Sequence, residues 1–375
     1  MRILIAVTYY KPHWTGLTRY ATNLSESLAK KGHLVRVVSN KFSQHLRSTE
    51  SINQVKVYRT PFNLRVSRTQ ISPLFIFYYL KLLLKTNKVI IFLPLTETLF
   101  LTLLSKLLNK KTYLVHNGDL VLPNGVINSI IERIYYLTTN LSITLADGIV
   151  VHTKDYSQHS LLLSRHRKKW IVIPNPCKID KPRKKLIQSL VKKYKLSGKI
   201  LIGFAGRFVE EKGVVHLLKA IPFVKKVLPN AVFVFAGQKK VVYENYWKSI
   251  SPLFEKYKED IKFIGLIQNR KIMAAFYAML DVFVLPSVTD CFPNTLIESM
   301  LCGTPVVCSD IPGARQIVKM SGMGELAKVK APLLLAEKII KVVKFKREYF
   351  KAREIIEHIF NFDKAINEYQ KIINR

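Results

Sequence analysis

Short apolar segments alternate with helical patterns along most of the chain. Most of the segments between the apolar runs repeat apolar residues every three to four positions, as amphipathic helices do. Alternation of this kind is typical of parallel sheets covered by helices on both faces, so the pattern predicts an α/β fold. The predicted strands cover residues 2–8, 34–39, 55–58, 89–93, 112–116, 148–152, 170–173, 199–204, 231–236, 261–264, 281–285 and 304–308. The predicted helices include 16–31, 97–109, 125–144, 213–228 and 268–279.

The number of predicted strands exceeds what one ordinary doubly wound sheet holds, so we expect two domains. Residues 174–185 read PNPCKIDKPRKK, with three prolines, several charges and no periodicity, which is typical of a linker. We therefore predict an N-terminal domain over 1–178 and a C-terminal domain over 179–354, each built on a Rossmann-like sheet.

Two apolar stretches raise the question of a membrane span. Residues 88–108 approach the roughly 20 residues that a span needs, but Pro94 and the helix start at Thr96-Glu97 divide them into a strand and a helix. Residues 71–84 are shorter and contain Lys81, so they predict a buried or interfacial helix. The apolar run at the N-terminus is too short for a signal peptide and predicts the first strand.

The charge of the chain is extreme and widely spread. The net charge is +35 and the isoelectric point about 10.0. Residues 1–180 hold 25 basic and 8 acidic residues, about half of the excess. So broad a positive field favours anionic partners such as nucleic acid, anionic lipid or phosphorylated substrates.

The four cysteines show no paired metal-site spacing, and most lie in or beside apolar segments. They predict reduced core residues of a cytoplasmic protein. They are Cys177, Cys291, Cys302 and Cys308.

Residues 281–308 combine a strand, a loop, a helix start and a second strand. Val282–Leu285 form an apolar run that Pro286 ends. Asn294 and Thr295 are residue types that cap helices, and an apolar helical run follows them.

Two carboxylates, Asp290 and Glu298, flank this predicted helix start. The free N–H groups of the first turn lie between them and attract an anion. Such a site could hold hydroxyls with its carboxylates and a phosphate with its amides, and a nucleotide sugar has both. The alternative is that each carboxylate is a solvated charge that interacts with the helix dipole.

Residues 200–213, ILIGFAGRFVEEKG, predict a strand and a following loop that contains Arg207 and Lys212. Two cations at the carboxyl edge of a strand suit a diphosphate, because Arg can bind it through two N–H groups and Lys adds a point charge. The alternative is two solvated cations in a chain that has 60 of them.

Two positions in the N-terminal half are further candidates. His116 ends the apolar strand TYLVH, where a neutral imidazole could bind a sugar hydroxyl or carry a proton; it could equally be a hydrogen-bonded structural histidine. Gly16 opens the helix after the first strand. It could let the backbone approach a phosphate, or it could simply be a turn residue.

Together these blocks resemble the retaining glycosyltransferases of the GT-B fold, specifically family 4, the group 1 glycosyl transferases. The resemblance covers essentially the whole chain and is strongest over 200–318. Its most specific blocks are GRFVEEKG at 206–213 and DCFPNTLIESMLCGTPVV at 290–307. Weaker blocks follow in the family's order: Thr15-Gly16, His116, ADGIVVHT at 146–153 and IPNP at 173–176.

The resemblance implies the GT-B fold class, in which two Rossmann-like domains face each other across a cleft. The C-terminal domain would bind a nucleotide-diphosphate sugar and the N-terminal domain the acceptor. A final helix, about 355–375, would cross back to the N-terminal domain. The implied reaction retains the anomeric configuration and needs no metal ion and no cofactor, with the nucleotide-diphosphate sugar as co-substrate.

The resemblance also implies residue roles. Arg207 and Lys212 would hold the diphosphate and stabilise the charge of the leaving group. Asp290 would hold hydroxyls of the donor sugar, His116 would contact that sugar near the reacting carbon, and Glu298 would bind the ribose. The implied catalytic residues are His116, Asp290, Arg207 and Lys212. The implied donor-binding residues are Gly16, Arg207, Lys212, Leu266, Asp290, Asn294, Thr295 and Glu298.

The remaining donor contacts are backbone contacts. Gly16 would approach the phosphates, and the chain near Ile264–Leu266 would meet the base. Pro293 stands where many members have glycine and has no N–H to donate. The amides of Asn294 and Thr295 would therefore have to bind the phosphate.

The sequence also departs from the family's pattern at Thr15-Gly16, which replaces a glycine pair, and at Asp290 and Gln316. Asp290 replaces the first of two glutamates and is one methylene shorter, although a subset of the family carries this Asp. Gln316 stands where an acidic residue usually follows PGA. These departures affect the expected contacts with the donor.

The resemblance and the charge together predict the partners. We expect a nucleotide-sugar donor, a lipid-linked or polysaccharide acceptor of the cell envelope, peripheral contact with anionic membrane, and no nucleic acid. The expected location is the cytoplasm, on the inner face of the plasma membrane. Aromatic residues of the basic N-terminal region fit membrane attachment, although they could also be core residues: Tyr9, Tyr10, Trp14, Phe62, Phe75, Phe77, Tyr78 and Tyr79.

Other functions remain open at this point. A nucleotide-sugar epimerase of the same fold would need more ionisable groups in the cleft than the sequence offers. A basic nucleic-acid-binding or scaffold protein would fit the charge, but no RRM, KH or helix-turn-helix signature is present.

Overall fold

A computed structural model describes residues 1–13, 15–61, 64–66, 69–122, 125–239, 241 and 245–374. Two compact units make up the chain. Unit 1 comprises Met1–Pro176 and Phe362–Arg375, and unit 2 comprises Cys177–Asn361. The division falls between residues 176 and 177, two residues before the boundary that we predicted after residue 178. Trp14 and Phe62, two of the expected membrane aromatics, lie outside the described residues.

The strands follow the predicted alternation with helices. They are β1 Arg2–Ala6, β2 Leu34–Asn40, β3 Thr49–Ile52, β4 Val55–Thr60, β5 Leu64–Val66, β6 Thr69–Ile71, β7 Lys88–Leu93, β8 Lys111–His116, β9 Gly148–Val151, β10 Trp170–Val172, β11 Ile200–Ala205, β12 Ala231–Ala236, β13 Ile261–Gly265, β14 Val282–Leu285, β15 Val306–Ser309 and β16 Gly324–Ala327.

Helices lie between most of these strands. They are α1 Gly16–Lys30, α2 Pro73–Leu83, α3 Thr98–Leu107, α4 Val126–Leu145, α5 Lys154–His159, α6 Lys184–Lys193, α7 Val214–Val227, α8 Tyr246–Lys256, α9 Arg270–Ala278, α10 Asn294–Leu301, α11 Ala314–Ser321, α12 Pro332–Lys344, α13 Lys346–Tyr349, α14 Arg353–Ile359 and α15 Phe362–Asn374. Short 3₁₀ helices cover Ser164–Lys169, Glu210–Lys212 and Lys258–Asp260.

Unit 1 contains a sheet of eight strands in the order β10-β9-β8-β7-β1-β2-β4-β3. Every pair in it is parallel except β3 with β4, which form a hairpin. Asn53 and Gln54 close that hairpin with positive φ angles of 47° and 68°, as a tight two-residue hairpin turn requires. We did not predict β3, because its sequence TESI is too polar to read as a strand.

The helices of unit 1 cover the two faces of this sheet. The connection from β1 to β2 leads toward the β3 edge of the sheet. The connections from β7 to β8 and from β8 to β9 lead toward the opposite edge, at β10. Because such crossovers are right-handed, α1 lies on one face, and α3 and α4 lie on the opposite face. Helix α2 packs beside α3, and α3 packs beside α4. These three helices therefore form one layer.

The last helix of the described chain completes unit 1. Helix α15 packs against α1 and buries one face, on which Tyr369 lies. The hydroxyls of Tyr369 and Tyr20 are hydrogen-bonded in the interior. The segment we expected to cross back from about residue 355 begins later, at Phe362. Helix α14 stays with unit 2, because Ile356 is buried in that unit's core and Arg353 donates to two of its backbone carbonyls.

Unit 2 contains a sheet of six parallel strands in the order β13-β12-β11-β14-β15-β16. Its inner strands are continuous apolar runs, because helices cover both of their faces. Strand β16 was missed in the sequence, since GELA has little apolar character and lies at the sheet edge. The resulting mixed α/β architecture with two parallel sheets confirms the predicted fold class.

The cysteines and several aromatic residues of the N-terminal region lie in the core. All four cysteines are buried, and none of them forms a disulfide. Burial raises the pKa of the Cys302 thiol to about 12. Tyr10, Phe75 and Tyr79 are core residues, so their proposed place at a membrane surface is wrong: Phe75 and Tyr79 lie one turn apart on the buried face of α2. Within the described ranges, no helix is both long and apolar enough to span a bilayer.

One buried histidine gives a testable pH dependence. Burial lowers the pKa of His152 from 6.5 to about 4, and its Nδ1 lies 3.2 Å from the carbonyl of Ile173. The unfolded chain therefore takes up a proton as the pH falls below about 6.5, while the folded chain does so only near 4. We expect this group to cost about 3 kcal/mol of unfolding free energy across that window.

Urea unfolding at pH 7 and pH 4.5 measures the effect. In His152→Asn, an amide can replace the Nδ1–H donor, and the loss of stability on acidification should shrink. The exposed His159→Asn serves as the control and should behave like the wild type. An equal loss in wild type and His152→Asn would contradict the assignment.

Candidate functional site

The loops that follow β11 and β14 meet at the carboxyl edge of the unit 2 sheet. The two strands are adjacent and parallel, with Ile202 opposite Val282, so their carboxyl ends lie side by side. The first loop contains Lys212 at the end of a 3₁₀ helix, and the second contains Asp290. The topology thus brings together two residues that are 78 positions apart.

Lys212 and Asp290 form a close ion pair. The Nζ atom of Lys212 lies 2.5 Å from Oδ2 of Asp290. The side chains are 19% and 14% exposed, so solvent screens the pair only partly. An ammonium has three N–H donors and a carboxylate has two oxygens, so both groups retain capacity for a ligand at the same point.

Two glycines hold the surrounding loops in close contact. Gly213 has a φ of +61°, and a Cβ at this position would lie 2.0 Å from the carbonyl oxygen of Pro286. Gly313 has a φ of +84°, and its Cβ would lie 2.0 Å from the carbonyl oxygen of Cys291. The amide of Val288 also donates to Glu211 O. The loops after β11, β14 and β15 are therefore fixed by backbone contact that a side chain would disrupt.

Arg207 lies in the same loop as Lys212 and has a carboxylate partner. Its Nη2 donates to Oε1 of Glu211 over 3.1 Å. The Arg207 side chain is 40% exposed, and an exposed pair of this kind contributes only about 0–1 kcal/mol. An anionic ligand can therefore compete with Glu211 for this cation.

Helix α10 starts beside Asp290 without a side-chain cap. The N-cap is Pro293, so Asn294 and Thr295 are the first helical residues rather than caps; their predicted capping role is wrong. The Oδ1 atom of Asn294 is buried and without a hydrogen-bond partner. The helix start thus presents backbone amides that no capping side chain occupies, next to the ion pair.

Glu298 lies inside unit 2. It is 1% exposed, and the Tyr277 hydroxyl on α9 donates to its Oε2 over 3.0 Å. Tyr277 thereby fixes the orientation of the carboxylate. Its role toward a ribose stays a prediction. Tyr277 was not among the predicted site residues, although it falls in the predicted helix 268–279.

The expected base-binding segment follows β13. Leu266 is 58% exposed and comes directly after Gly265, whose φ of +89° turns the chain at the strand end. An exposed leucine beside a turn presents an apolar surface to solvent. This position suits the predicted contact with a flat base, which stays a prediction.

In unit 1, His116 lies at the strand end as predicted, and it is 1% exposed. Its Nε2 lies 3.2 Å from Oδ1 of Asp119, and the Gly118 amide donates to Nδ1 over 3.4 Å. Nδ1 is therefore the acceptor and Nε2 the donor. Burial raises the pKa of Asp119, but hydrogen bonds from His116, Ser160 and Tyr156 outweigh this and lower it. Both ring nitrogens thus have partners within unit 1. A contact between His116 and a donor sugar would require one of these two hydrogen bonds to break.

Gly16 is the first residue of α1, after a capping box between Thr15 and Thr18. A Cβ at Gly16 would meet no atom within 4 Å. Packing inside the described part of unit 1 therefore does not require a glycine here. Close approach of a ligand to the backbone would require one, as predicted.

No group of three or more His, Cys, Asp or Glu residues in the described chain is placed to hold a metal ion. The reaction's independence of metal ions stays a prediction.

Two family models match the chain, one over each half. The model described as Glycosyltransferase Family 4 matches residues 14–181. The model described as Glycosyl transferases group 1 matches residues 187–357, which include Arg207, Lys212, Asp290 and Glu298. The chain belongs to the group 1 glycosyltransferases. The resemblance to the group 1 glycosyltransferases is confirmed, and retention of the anomeric configuration stays a prediction.

Relatives can be aligned with the sequence of this glycosyltransferase over different lengths. An uncharacterized glycosyltransferase of Methanocaldococcus jannaschii is 24% identical over 396 residues, covering 100% of this chain and 98% of that protein. The alpha-galactosylglucosyldiacylglycerol synthase of Streptococcus pneumoniae is 27% identical over 117 residues, 30% of this chain and 29% of that protein. The crystal structure of Anabaena HepE in complex with UDP and glucose has a TM-score of 0.77 at 14% identity, covering 99% of both chains, and shows the GT-B fold.

Two polar residues that contact or neighbour predicted site residues, one in each unit of this glycosyltransferase, were not predicted from the sequence. Ser287 follows Pro286 in the loop that carries Asp290; it is fully buried, and its Oγ has no hydrogen-bond partner. Asp119 orients His116 from three residues downstream. The sequence signal for Asp119 was its place in HNGD. Nothing in the sequence distinguishes Ser287 from other loop serines.

Proposed function

We propose that this glycosyltransferase moves a sugar from a nucleotide-diphosphate sugar to a hydroxyl of a lipid-linked or polysaccharide acceptor, with retention and without a metal ion or cofactor. The Lys212–Asp290 pair carries the proposal. A cation for phosphate and a carboxylate for sugar hydroxyls lie 2.5 Å apart, beside the amides of a helix start. A donor has its diphosphate next to its sugar, so one ligand can engage all three groups.

The roles follow from the charge and the hydrogen-bonding chemistry of each group. The free N–H donors of Lys212 bind the diphosphate, and Arg207 exchanges Glu211 for a phosphate oxygen. Both cations stabilise the negative charge that develops as the leaving group departs. Asp290 accepts from a hydroxyl of the donor sugar, Glu298 binds the ribose, and the exposed segment at Leu266 meets the base.

The bond changes balance without an enzymatic nucleophile. The bond between the anomeric carbon and the diphosphate oxygen breaks, and the acceptor oxygen bonds to that carbon from the same face. The acceptor proton passes to the departing phosphate oxygen. Gly16 lets the backbone approach the phosphates. His116 contacts the sugar near the reacting carbon by giving up its hydrogen bond with Asp119 or with the Gly118 amide.

Two of the relatives support the substrate classes. HepE was crystallised in complex with UDP and glucose, which are the parts of a nucleotide-sugar donor. The Streptococcus pneumoniae relative is named as the synthase of a glycosylated diacylglycerol, so its product is a lipid. We further propose that the protein acts in cell-envelope synthesis in the cytoplasm, in contact with the inner face of the plasma membrane, which its charge of +35 favours.

A thermal-shift screen against UDP-, GDP- and ADP-sugars tests donor binding. One donor should raise the melting temperature, and NMR of its product should show the donor's anomeric configuration, also after dialysis against EDTA. No shift with any donor would contradict the proposal. Incubation with the donor alone separates transfer from epimerisation, because only an epimerase changes the donor without an acceptor.

Replacement of Glu298 tests the role assigned to its carboxylate. We expect Glu298→Ala to lower transfer by at least about 100-fold, because the ribose hydroxyls lose their acceptor. Glu298→Gln keeps an acceptor for the Tyr277 hydroxyl. The melting temperature of Glu298→Gln should therefore equal that of the wild type, whereas its affinity for the donor should stay as low as that of Glu298→Ala. Recovery of transfer in the Gln variant would show that Glu298 only supports the fold.

A further inference from the structure

Helix α4 of unit 1 exposes a continuous apolar stripe. Its buried residues, such as Tyr135 and Ile143, face the opposite side. The exposed residues recur every three to four positions, so they share one face along a helix of 20 residues, about 30 Å long. They are Val126, Ile127, Ile130, Ile134, Leu137 and Leu141, of which Leu137 is 72% exposed.

The two neighbouring helices continue this stripe. Helix α3 exposes Phe100, Leu103 and Leu107, again at helical spacing. Helix α2 exposes apolar residues with the same repeat, including Phe77 at 62%. Because α2, α3 and α4 pack side by side on one face of the sheet, their outward stripes form one surface. We call this surface the α2–α4 apolar face.

Exposed apolar area of this extent marks an interaction site. A typical soluble monomer exposes large apolar side chains singly or in small patches. Here three adjacent helices each expose three or more of them on the same side. Their other faces are already buried against the sheet and against each other, so packing within unit 1 does not cover this surface.

The charged residues of the same helices indicate which kind of partner covers the α2–α4 apolar face. Lys81, Lys106 and Arg133 are exposed, one on each helix. The only acidic residue within these three described helices is Glu132, whose Oε1 accepts from the backbone amide of Leu122. The surface therefore combines apolar side chains with positive charge and lacks an exposed carboxylate.

We propose that the α2–α4 apolar face docks on an anionic lipid bilayer. Helices that lie in the plane of a bilayer bury apolar side chains at the acyl boundary and place cations among anionic headgroups, each worth about 1 kcal/mol there. A second copy of this chain fits less well, because two such faces would bring like charges together. This inference rests on the membrane contact proposed above and assigns it to a surface.

The test compares two triple variants of the full chain. Ile130→Ser/Ile134→Ser/Leu137→Ser removes the centre of the α4 stripe. Leu34→Ser/Phe223→Ser/Val227→Ser removes three exposed apolar residues elsewhere and serves as the control. Binding is measured by co-sedimentation with phosphatidylcholine vesicles, with and without phosphatidylglycerol, at low salt.

We expect the wild type and the control to bind vesicles that contain phosphatidylglycerol. The α4 variant should bind roughly 100-fold more weakly, from the loss of three inserted side chains. Its melting temperature should stay that of the wild type, since all three residues are exposed. Lys81→Gln/Lys106→Gln/Arg133→Gln should weaken binding and reduce its dependence on salt.

Three outcomes would overturn the inference. The wild type does not bind anionic vesicles, the α4 variant binds as well as the control, or sedimentation velocity shows a lipid-free dimer that the α4 substitutions dissociate. Donor binding is measured on the same preparations by thermal shift. Vesicle binding without a response to any nucleotide sugar would support the docking surface and refute the proposed donor, so the two failures are distinguishable.

Discussion

Replacing Lys212 with alanine is expected to lower the rate of sugar transfer by at least about 100-fold while the protein stays folded. The ammonium is the cation held next to Asp290, at 2.5 Å. Its removal takes away a fixed positive charge at the point where the leaving diphosphate gains negative charge. Initial rates with the donor found by the thermal-shift screen measure the effect, and circular dichroism verifies the fold.

Lys225→Ala provides a matched control. Lys225 also forms an ion pair in unit 2, with Asp260 at 2.8 Å, but at a point that we do not assign to the donor. It should keep nearly wild-type transfer. If Lys212→Ala also transfers sugar at the wild-type rate, or if the two variants lose activity equally, the site is wrongly assigned.

Replacing Gly213 with alanine should lower the free energy of unfolding by about 3 kcal/mol or more and abolish donor binding. Alanine is strained at the φ of +61°, and its Cβ would lie 2.0 Å from the carbonyl oxygen of Pro286. Because the Cβ position is fixed by the backbone and its neighbour is a backbone carbonyl, the conflict cannot be relieved by a rotamer change. The loops with Lys212 and Asp290 would have to separate.

Gly198→Ala isolates the cost of the backbone angle. Gly198 has a φ of +68°, but a Cβ there would meet no atom within 4 Å. This variant should lose only about 1 kcal/mol and bind the donor normally. Denaturant unfolding and thermal shift measure both properties. Equal destabilisation of the two variants would mean that contact between the loops does not hold the site.

The sequence predicted the buried framework well, because buried parallel strands are continuous apolar runs. Strands such as β7 and β12 could be located without knowing their neighbours. Edge strands are less uniform, because one edge remains in contact with solvent and their residues need not be apolar. The edge strands β10 and β13 are apolar enough to be predicted, whereas β3 and β16 are not. For this reason β3 and β16 could not be distinguished from loops.

The candidate site was predictable where it depends on topology. Lys212 and Asp290 follow parallel strands, and such strands place their carboxyl ends at one edge of the sheet. The partners Glu211 and Tyr277 were not predictable, because those contacts depend on the rotation of helices and the path of loops. The contact of Gly213 with Pro286 likewise exists only once two distant loops are folded.

The pairing of helix α15 with unit 1 has a consequence for biosynthesis. Ribosomes would deliver residues 1–176 first, yet the core of unit 1 still lacks the apolar face of α15 until Phe362–Asn374 emerge. Unit 2 is continuous in the chain and can close earlier. The nascent N-terminal half should therefore stay open to chaperones and proteases during translation of the second half, and become protected only after Tyr369 reaches Tyr20.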